Sequence, residues 1–432
     1  MKMYQSAASM FKNKKVLILG FGREGMSTYR FLRNMYPDMH LTIADKNEIK
    51  LDDKNVTLIC GDSYMDSLND FDIVMKSPGI AFLDVDIKDG TLVTCQTDLF
   101  LKFAPCRKVG ITGSKGKTTT STLIYDMLKE GGFDARLIGN IGVPVLEDIN
   151  TVTPETIAVI EMSSHQLEFT TSSPEVAVLT NIYEEHLDHY RDGFRGYVNA
   201  KLNIVRRQKE GDTFIYNATQ GLDGLCDLGK IKSHKVGVKK DAPLPFAVNN
   251  EHLLGEHNRQ DILFALEAAK HFGVDTAAER AVEKFSGIEH RMEKVGTFRG
   301  ITFYNDCIAT IPHAVECAVE ALKNVDTLIF GGMDRGLDYS EFENYLKKSN
   351  IKNLIGTPET GHKICDKIEG APQKNVYKAA NLDEAVKKAY EVTAKGKICL
   401  LSPAASSYNC YKNFEEKGKH YKKLVREYGK ED

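Results

Sequence analysis

The stretch Val109-Gly110-Ile111-Thr112-Gly113-Ser114-Lys115-Gly116-Lys117-Thr118-Thr119-Thr120 is the segment around which the chain is organised. An apolar strand ends in a loop with two glycines, and an apolar-periodic helix follows. The N–H groups of such a loop and of the helix N-terminus form a cradle for an anion. The stretch therefore predicts a nucleoside triphosphate site, with Lys117 at the β- and γ-phosphates and Thr118 on magnesium. Ile111 replaces the usual first glycine, so the match is to a shorter GxxGKT loop, and an ordinary strand-to-helix turn is the alternative.

Length and composition limit the class of protein. The 432 residues exceed one core, and about one domain per 150 residues suggests about three domains. A charged content of 27% and a net charge of −3 predict no binding to nucleic acid or an anionic membrane. No membrane-length apolar run or signal-peptide core is present, so we expect a cytoplasmic protein. The nine cysteines form no CxxC pair, which argues against a disulfide framework or a structural zinc site.

A second glycine motif lies near the N-terminus. An apolar strand enters Gly20-Phe21-Gly22-Arg23-Glu24-Gly25, and the next strand ends at Asp45. This order is typical of the first half of a Rossmann fold, in which an acidic residue meets a ribose. The motif alone is weak, so a tight packing turn, with Asp45 as a strand-end cap, is the alternative.

Three features follow the phosphate loop. Glu161 ends an apolar strand, where magnesium is commonly held. His186 lies among carboxylates after another strand, which indicates either a metal-related site or a solvated acidic loop. Lys201 lies in a predicted helix over 197–205, where a lysine is usually at the surface.

The end of the middle segment is less regular in sequence. Residues 217–250 are predicted to be weakly structured, and a helix is predicted over 261–272. Asn258, at the predicted helix start, would cap the helix or read a purine edge, with capping favoured.

The last segment repeats the α/β rhythm from about residue 290. Apolar strands precede Asn305-Asp306, Gly331-Gly332 and Ser402-Pro403, which predicts a third doubly wound layer with polar residues at its strand ends. The expected architecture is an α/β chain of three domains. They are a Rossmann-like domain over 1–103, a central P-loop ATPase-type domain over 104–289 and a Rossmann-like domain over 290–432.

Taken together, these motifs resemble those of the Mur ligases, the ATP-dependent amide-forming enzymes of peptidoglycan precursor synthesis. The resemblance covers the whole chain in the expected order. Besides the motifs above, it includes Ser77-Pro78-Gly79, Gly139-Asn140-Ile141-Gly142, Glu161 to Glu168, Asn181 to Asp188, His257-Asn258, His290-Arg291-Met292-Glu293 and Phe414-Glu415.

The resemblance implies a function. ATP would phosphorylate the carboxylate of UDP-N-acetylmuramoyl-L-alanine, and the amine of glutamate, D-glutamate by default, would capture the acyl phosphate. The product would serve cell-wall biogenesis, and with it cell shape, cell division and the cell cycle. The chain would act as a cytoplasmic monomer, with two magnesium sites and a carbamylated Lys201.

The resemblance also assigns residues to roles. Catalytic roles fall to Lys117, His186, Lys201 and Asp306, and metal binding to Thr118, Glu161, His186 and Lys201. ATP would meet Gly113, Ser114, Lys115, Gly116, Lys117, Thr118, Thr119, Asn258, Arg291 and Asp306. The sugar nucleotide would meet Gly22, Arg23, Glu24, Asp45, Asn140, Ser163, Gln166 and His186. The amino acid would meet Thr310, Arg335, Ser407 and Phe414.

Several positions depart from the family's pattern. Ile308 and Arg335 stand where the family has lysines, and Ala404-Ala405-Ser406-Ser407 replaces Ala-Cys-Ala-Ser. His165 stands where phenylalanine is common, and Asp261 where asparagine is. Because an Arg fork holds a carboxylate differently from an ammonium, we hypothesise an amino-acid pocket altered towards L-glutamate or another acid.

Other classes of protein stay open on the sequence. A folylpolyglutamate or cyanophycin-type ligase is the nearest rival enzyme. A non-catalytic nucleotide-binding protein and, from the first glycine motif alone, a NAD-dependent dehydrogenase are the others.

Overall fold

The computed structural model describes residues 7, 9–141, 143–147, 149–222, 224–250, 252–253, 255–334, 337–407 and 409–430. The chain divides into two compact units, Met1–Phe285 and Ser286–Asp432. Among the described residues, two sheets lie in the first unit and one in the second, each flanked by helices. The α/β fold class is thereby confirmed, whereas the domain ends at 103 and 289 stay predictions. Within the described part of the chain, no helix has the length and apolar character needed to cross a membrane.

The first sheet is parallel, in the order β3-β2-β1-β4-β5. Its strands are β1 (Val16–Leu19), β2 (Leu41–Asp45), β3 (Val56–Cys60), β4 (Ile73–Lys76) and β5 (Leu92–Thr94). The helices are α1 (Arg23–Met35) and α2 (Gln96–Phe103), with a 3-10 turn at Leu68–Asp70. All of β1 is buried, as its unbroken apolar run requires of a central parallel strand. The strand order reverses beside β1, so the crevice for a ligand lies where β1 enters the glycine turn.

The second sheet is also parallel, in the order β11-β10-β9-β6-β8-β7. Its strands are β6 (Arg107–Thr112), β7 (Ala135–Gly139), β8 (Ile157–Glu161), β9 (Val176–Leu179), β10 (Thr213–Asn217) and β11 (His234–Val238). The helices are α3 (Lys117–Glu130), α4 (Ser164–Leu167), α5 (Gly193–Arg206), α6 (Gly255–Lys270) and α7 (Thr276–Lys284), with 3-10 turns at Leu187–His189 and Leu228–Lys230. Because β6 lies between β8 and β9, the loops after these three strands meet at one edge.

Two predictions in this region are wrong. The stretch 217–250 contains β11, which pairs with β10 although most of its side chains are exposed, so no apolar pattern marked it. Helix α6 begins at Gly255 rather than at residue 261. Its first turn is polar, so no apolar pattern in the sequence marked it as helical. Asn258 therefore lies inside the first turn of α6 and is not the N-cap.

The third sheet has the order β12-β13-β17-β14-β15-β16. Its strands are β12 (Glu293–Phe298), β13 (Ile301–Asn305), β14 (Val325–Phe330), β15 (Asn353–Gly356), β16 (Asn375–Lys378) and β17 (Ile398–Leu401). The helices are α8 (Pro312–Leu322), α9 (Ser340–Lys348), α10 (Thr360–Ile368), α11 (Leu382–Val392) and α12 (Phe414–Tyr428). Strand β12 runs antiparallel to β13, and the other pairs are parallel. This hairpin was not predicted, because β12 is half-exposed and polar.

Side-chain contacts join the first two sheets into one unit. The fully buried Asp98 of α2 accepts a 2.7 Å hydrogen bond from the Thr171 backbone N–H. Arg191 places its Nη1 3.0 Å from Asp86 Oδ1 and its Nε 2.7 Å from the Leu83 carbonyl oxygen. The carboxyl edges of both sheets are thus held in a fixed relation within this unit.

The first glycine turn provides a stability test. A Cβ on Gly25 would overlap the Gly20 carbonyl oxygen, whereas a Cβ on Gly22 would meet no atom within 4 Å. We expect Gly25→Ala to lower the free energy of unfolding by about 1–3 kcal/mol, the usual cost of overpacking. Gly22→Ala is the matched control and should change it by less. Urea unfolding of the full chain, followed by circular dichroism, measures both, and equal stabilities would contradict the assignment of a packing role to Gly25.

Candidate active site

The predicted phosphate loop lies between β6 and α3. Gly113 has a φ of 152°, and Gly116 has a φ of 83° just before α3 begins. A Cβ on Gly113 would overlap the Thr180 hydroxyl, and a Cβ on Gly116 would overlap the Asp261 carboxylate. Both glycines are therefore required by backbone conformation and by close approach, as an anion cradle needs.

The end of β9 fixes this loop. Asn181 accepts hydrogen bonds from the Lys115 N–H at its Oδ1 (2.8 Å) and from the Ser114 N–H at its carbonyl oxygen (2.9 Å). Thr180 Oγ1 donates to the Lys115 carbonyl oxygen at 2.6 Å. The sequence analysis gave neither residue a role. The signals were the motif from Asn181 to Asp188 that the resemblance includes, and a polar Thr-Asn pair directly after the buried strand next to β6.

Two lysines point at one carbonyl group of the loop. Lys117 Nζ donates to the Gly113 carbonyl oxygen at 3.0 Å, and Lys201 Nζ donates to the same oxygen at 2.7 Å. Lys201 is only 2% exposed, so it does not take the surface position that is usual for a lysine on such a helix. Burial, and then the charge of Lys117, lower the pKa of Lys201 well below its ordinary value. This lowered pKa favours a neutral amine behind the loop.

Glu161 lies at the carboxyl end of β8 and is 2% exposed. Its Oε1 accepts a 2.7 Å hydrogen bond from Asn140 Nδ2, while its Oε2 is buried and has no partner among the described residues. A buried carboxylate oxygen without a partner is costly unless a cation meets it. Glu161 therefore fits a magnesium ion, with Thr118 buried at the second residue of α3.

Protein side chains alone do not complete the predicted metal sites in the described part of the chain. Within the described ranges, no three or more His, Cys, Asp or Glu side chains form a group that could hold a metal ion. Magnesium at Glu161 would therefore take other ligands from phosphate and water oxygens, as it commonly does.

His186 precedes the 3-10 turn Leu187–His189 and has a left-handed φ of 53°. Its ring centroid lies 4.8 Å from that of His165 and 6.5 Å from that of Tyr197. Burial lowers the pKa of His186; Lys201 and Lys117 lower it further, against the opposing charge of Glu185. A neutral imidazole, which can bind a metal ion, is thus favoured.

Two of the residues predicted at the sugar-nucleotide end, Glu24 and Gln166, contact each other across the two sheets. Gln166 Nε2 donates to Glu24 Oε1 at 2.7 Å, and Ser163 Oγ accepts from the Gln166 N–H at 3.2 Å in a capping box. Burial raises the pKa of Glu24, although the Gln166 hydrogen bond acts in the opposite direction. Gly22 and Arg23 are exposed at the start of α1.

Asp45 has a structural role in the same region. Its Oδ2 accepts a 2.6 Å hydrogen bond from the Phe21 N–H, and its Oδ1 accepts a 2.8 Å hydrogen bond from the Asn47 N–H. The alternative reading of Asp45 as a strand-end cap is therefore observed, and its contact with a ribose stays a prediction.

The second unit brings other predicted residues to the carboxyl ends of β13, β17 and β14. Asp306 is 4% exposed, and its carboxylate accepts from Ser402 Oγ at 2.7 Å and from the Met292 N–H at 3.1 Å. Burial raises the pKa of Asp306 to about 6, against these two hydrogen bonds and the charge of Arg291.

The predicted amino-acid residues belong to the same unit. Ser407 is 3% exposed and its Oγ has no partner among the described residues, while the Phe414 ring lies 6.0 Å from that of His290. Thr310 is half-buried, and Arg335 lies outside the described residues.

Apolar side chains lie in the loops after β13 and β14. Ile308 is half-buried in the loop after β13, and Ile311 in the same loop is 52% exposed. Met333, in the loop after β14, is 37% exposed, and its N–H donates to the Ser406 carbonyl oxygen at 2.7 Å. Apolar side chains therefore lie at the edge where the resemblance places the incoming amino acid.

Comparison with known proteins defines the class. The chain matches the Mur ligase MurD-like N-terminal domain over residues 14–93, the Mur ligase middle domain over 111–243 and the glutamate ligase domain of Mur ligases over 290–405. The chain belongs to the Mur ligase family of ATP-dependent, amide-forming ligases. The predicted family and enzyme class are confirmed, and this assignment replaces the dehydrogenase and the non-catalytic alternatives.

Named relatives are similar over nearly the whole chain. The chain is 32% identical to UDP-N-acetylmuramoylalanine--D-glutamate ligase of Acetivibrio thermocellus, with 96% of each chain covered. It is 33% identical to the ligase of the same name from Oenococcus oeni, with 96% of this chain and 98% of that one covered.

Solved structures share the fold. UDP-N-acetylmuramate-alanine ligase MurC from Thermotoga maritima superposes with a TM-score of 0.56 at 18% identity, covering 96% of this chain and all (100%) of that one. The MurF ligase from the same organism, in complex with ADP, gives a TM-score of 0.55 at 17% identity over 96% of this chain and 95% of that one.

Asp306 generates a pH prediction. Its pKa is raised from 3.8 to about 6. At pH values between these two, the carboxyl group is protonated in the native state and ionised in the unfolded state. Stability from this group is therefore highest below pH 3.8 and falls as the pH rises through about 6, by on the order of 3 kcal/mol. Asp306→Asn should lack this fall. Urea unfolding at pH values from 4 to 7 compares the two proteins, and parallel pH profiles would contradict the assignment.

Proposed function

We propose that this chain joins glutamate to UDP-N-acetylmuramoyl-L-alanine at the expense of ATP, in the synthesis of a peptidoglycan precursor. The observation that carries the proposal is full-length identity of about a third to ligases of that name. By this proposal the chain acts as a cytoplasmic monomer in cell-wall biogenesis, and so supports cell shape and division.

The reaction needs two anions to meet. A carboxylate oxygen of the sugar nucleotide attacks the γ-phosphorus of ATP, the bond to the β-phosphate oxygen breaks, and ADP leaves. The glutamate nitrogen then attacks the acyl carbon, inorganic phosphate leaves, and the nitrogen loses a proton as the amide forms. Loop residues 113–119 would hold the ATP phosphates, and Lys117 would offset charge on the transferred group.

Magnesium would be held by Thr118 and Glu161 at one site and by His186 and a carbamylated Lys201 at another. When bound, it would neutralise phosphoryl oxygens and the substrate carboxylate. The buried Oε2 of Glu161, which has no hydrogen-bond partner in the described part of the chain, supports the first site. The buried, lowered-pKa amine of Lys201 supports the carbamate, because a neutral amine forms an N–C bond with carbon dioxide and loses a proton.

The substrate-binding residues are proposed from the same framework. Gly22, Arg23, Glu24 and Asp45 would bind the uridine diphosphate. Asn140, Ser163, Gln166 and His186 would bind the muramoyl-alanine end, and the Glu24–Gln166 contact supports a site that spans both sheets. Asn258, Arg291 and Asp306 would bind the nucleotide, and Thr310, Arg335, Ser407 and Phe414 the glutamate.

Turnover tests the function directly. We expect phosphate release only when ATP, magnesium, UDP-N-acetylmuramoyl-L-alanine and D-glutamate are all present, and a loss of about 10²-fold or more in Lys117→Met, because a charge aimed at the phosphoryl group is removed. ATP left intact by the wild-type protein with all reactants would contradict the proposal.

The stereochemistry of the amino acid is tested in the same assay. Ile308 and the apolar edge around it motivate a comparison of D-glutamate, L-glutamate and related acids by mass-resolved ligation. Our hypothesis of an altered pocket expects detectable product with L-glutamate or another acid, and a strict preference for D-glutamate would rule it out.

The modification of Lys201 can be observed without turnover. We expect a carbamate carbon signal in ¹³C NMR after equilibration with labelled bicarbonate, and its absence in Lys201→Met. Lys417 is a matched control, because it is 3% exposed, has a lowered pKa and donates to the Gly331 carbonyl oxygen at 2.8 Å. Lys417→Met should keep the signal. A signal that survives in Lys201→Met would refute the assignment.

A further inference from the structure

A buried charge cluster lies where the first two sheets meet. Lys76 ends β4 with a side chain that is 2% exposed, and its Nζ lies 3.0 Å from Glu168 Oε2, just beyond α4. The same carboxylate oxygen lies 3.4 Å from His189 Nε2. Because a carboxylate only accepts, a hydrogen bond at this contact requires His189 Nε2 to be the donor. One oxygen of Glu168 thus joins the first sheet to the turn that follows His186.

Aromatic rings and a backbone clamp surround this cluster. The Lys76 ammonium lies 5.4 Å from the ring centroids of both Phe82, in the loop after β4, and Phe169, in the loop after α4. Asn203 Nδ2 donates to the carbonyl oxygens of Leu167 and Glu168, at 2.9 and 3.1 Å. Glu168 is therefore fixed by helix α5, the helix that carries Lys201.

His189 continues the contact to His186 in two ways. The His189 N–H donates to the His186 carbonyl oxygen at 3.1 Å, which closes the 3-10 turn. The rings of His189 and His165 lie 3.9 Å apart, and His165 lies 4.8 Å from His186. His189 therefore contacts the His186 backbone through its own N–H, and its ring acts on the His186 ring through His165.

We propose that Glu168 and His189 are positioning residues for the ligase reaction, and that they hold His186 at the place where the sugar-nucleotide sheet meets the ATP-binding sheet. This inference rests on the proposed function. An ordinary buried ion pair would stabilise the unit without affecting His186. The Lys76–Glu168 pair alone already links the two sheets. The 3.4 Å contact from Glu168 to His189 adds no further link between them, so we assign it to the placement of the turn that follows His186.

The chain contains a matched control for this geometry. Arg107 Nη2 lies 2.6 Å and His271 Nε2 lies 3.3 Å from Glu175 Oε1, so a cation and a histidine again share one carboxylate oxygen. Arg107 begins β6 and Glu175 immediately precedes β9, so this second cluster lies at the opposite edge of the same sheet. It should contribute to stability alone.

The experiment compares wild type, His189→Phe, Glu168→Gln and Glu175→Gln in phosphate release with all reactants. His189→Phe keeps a ring against His165 and leaves the Lys76–Glu168 pair intact, so it should fold even if Glu168→Gln does not. We expect His189→Phe to lower kcat and to raise the magnesium concentration for half-maximal rate, each by about tenfold, as for residues that orient metal ligands. KM for ATP should stay within about twofold, because the cluster does not contact loop 113–119 in the described structure.

The outcomes separate the two proposals. Glu175→Gln should keep wild-type kcat and magnesium dependence even if its melting temperature falls. Wild-type kcat and magnesium dependence in His189→Phe would overturn the positioning role while leaving the ligase function intact. A rise in KM for ATP equal to the other effects would also overturn it, since it would indicate a general disturbance. Absence of turnover in the wild type would instead overturn the proposed function.

Discussion

The structure of the candidate site depends on the hydrogen bond from Lys201 Nζ to the Gly113 carbonyl oxygen. Burial disfavours the charged form of Lys201, and the charge of Lys117 disfavours it further, so the pKa of Lys201 is lowered and the neutral amine is favoured. The protein tolerates this arrangement at the loop where it is expected to bind a polyphosphate. Desolvated groups with perturbed pKa values cluster at functional sites, and Lys201 fits that pattern.

The second constraint is that two sheets must present their carboxyl edges to each other. Asp98, Arg191 and Lys76 make this contact through buried or multiply bonded side chains rather than through isolated surface ion pairs. Isolated exposed pairs contribute little, whereas a desolvated ammonium with one carboxylate fixes a geometry. The Glu24–Gln166 contact shows the consequence, because residues from the two sheets share one hydrogen bond at the edge where a ligand would lie.

The second unit solves a similar problem on its own sheet. Loops after β13, β17 and β14 are joined by backbone hydrogen bonds, from Ala404 to Ala309 and from Met333 to Ser406. The apolar side chains of Ile311 and Met333 are left exposed at this edge, although burying them would be favourable. Such exposure is normal for single residues. Two exposed apolar side chains on neighbouring loops, at the edge where the amino acid is proposed to bind, would influence which amino acid this unit accepts.

The sequence determined the α/β class, the position of the phosphate loop and the strand ends where Glu161, His186 and Asp306 lie, because buried parallel strands are unbroken apolar runs and polar residues stop them. It also carried the resemblance that led to the family. Elements with weak patterns were missed or misplaced: the exposed edge strand β11, the polar first turn of α6 around Asn258 and the antiparallel strand β12. Only the tertiary structure decided that Lys201 is buried, that Asp45 caps the Phe21 N–H, and that Lys76, Glu168 and His189 share one oxygen. These facts depend on contacts between residues up to about a hundred positions apart, and local periodicity contains no information about which distant side chains meet.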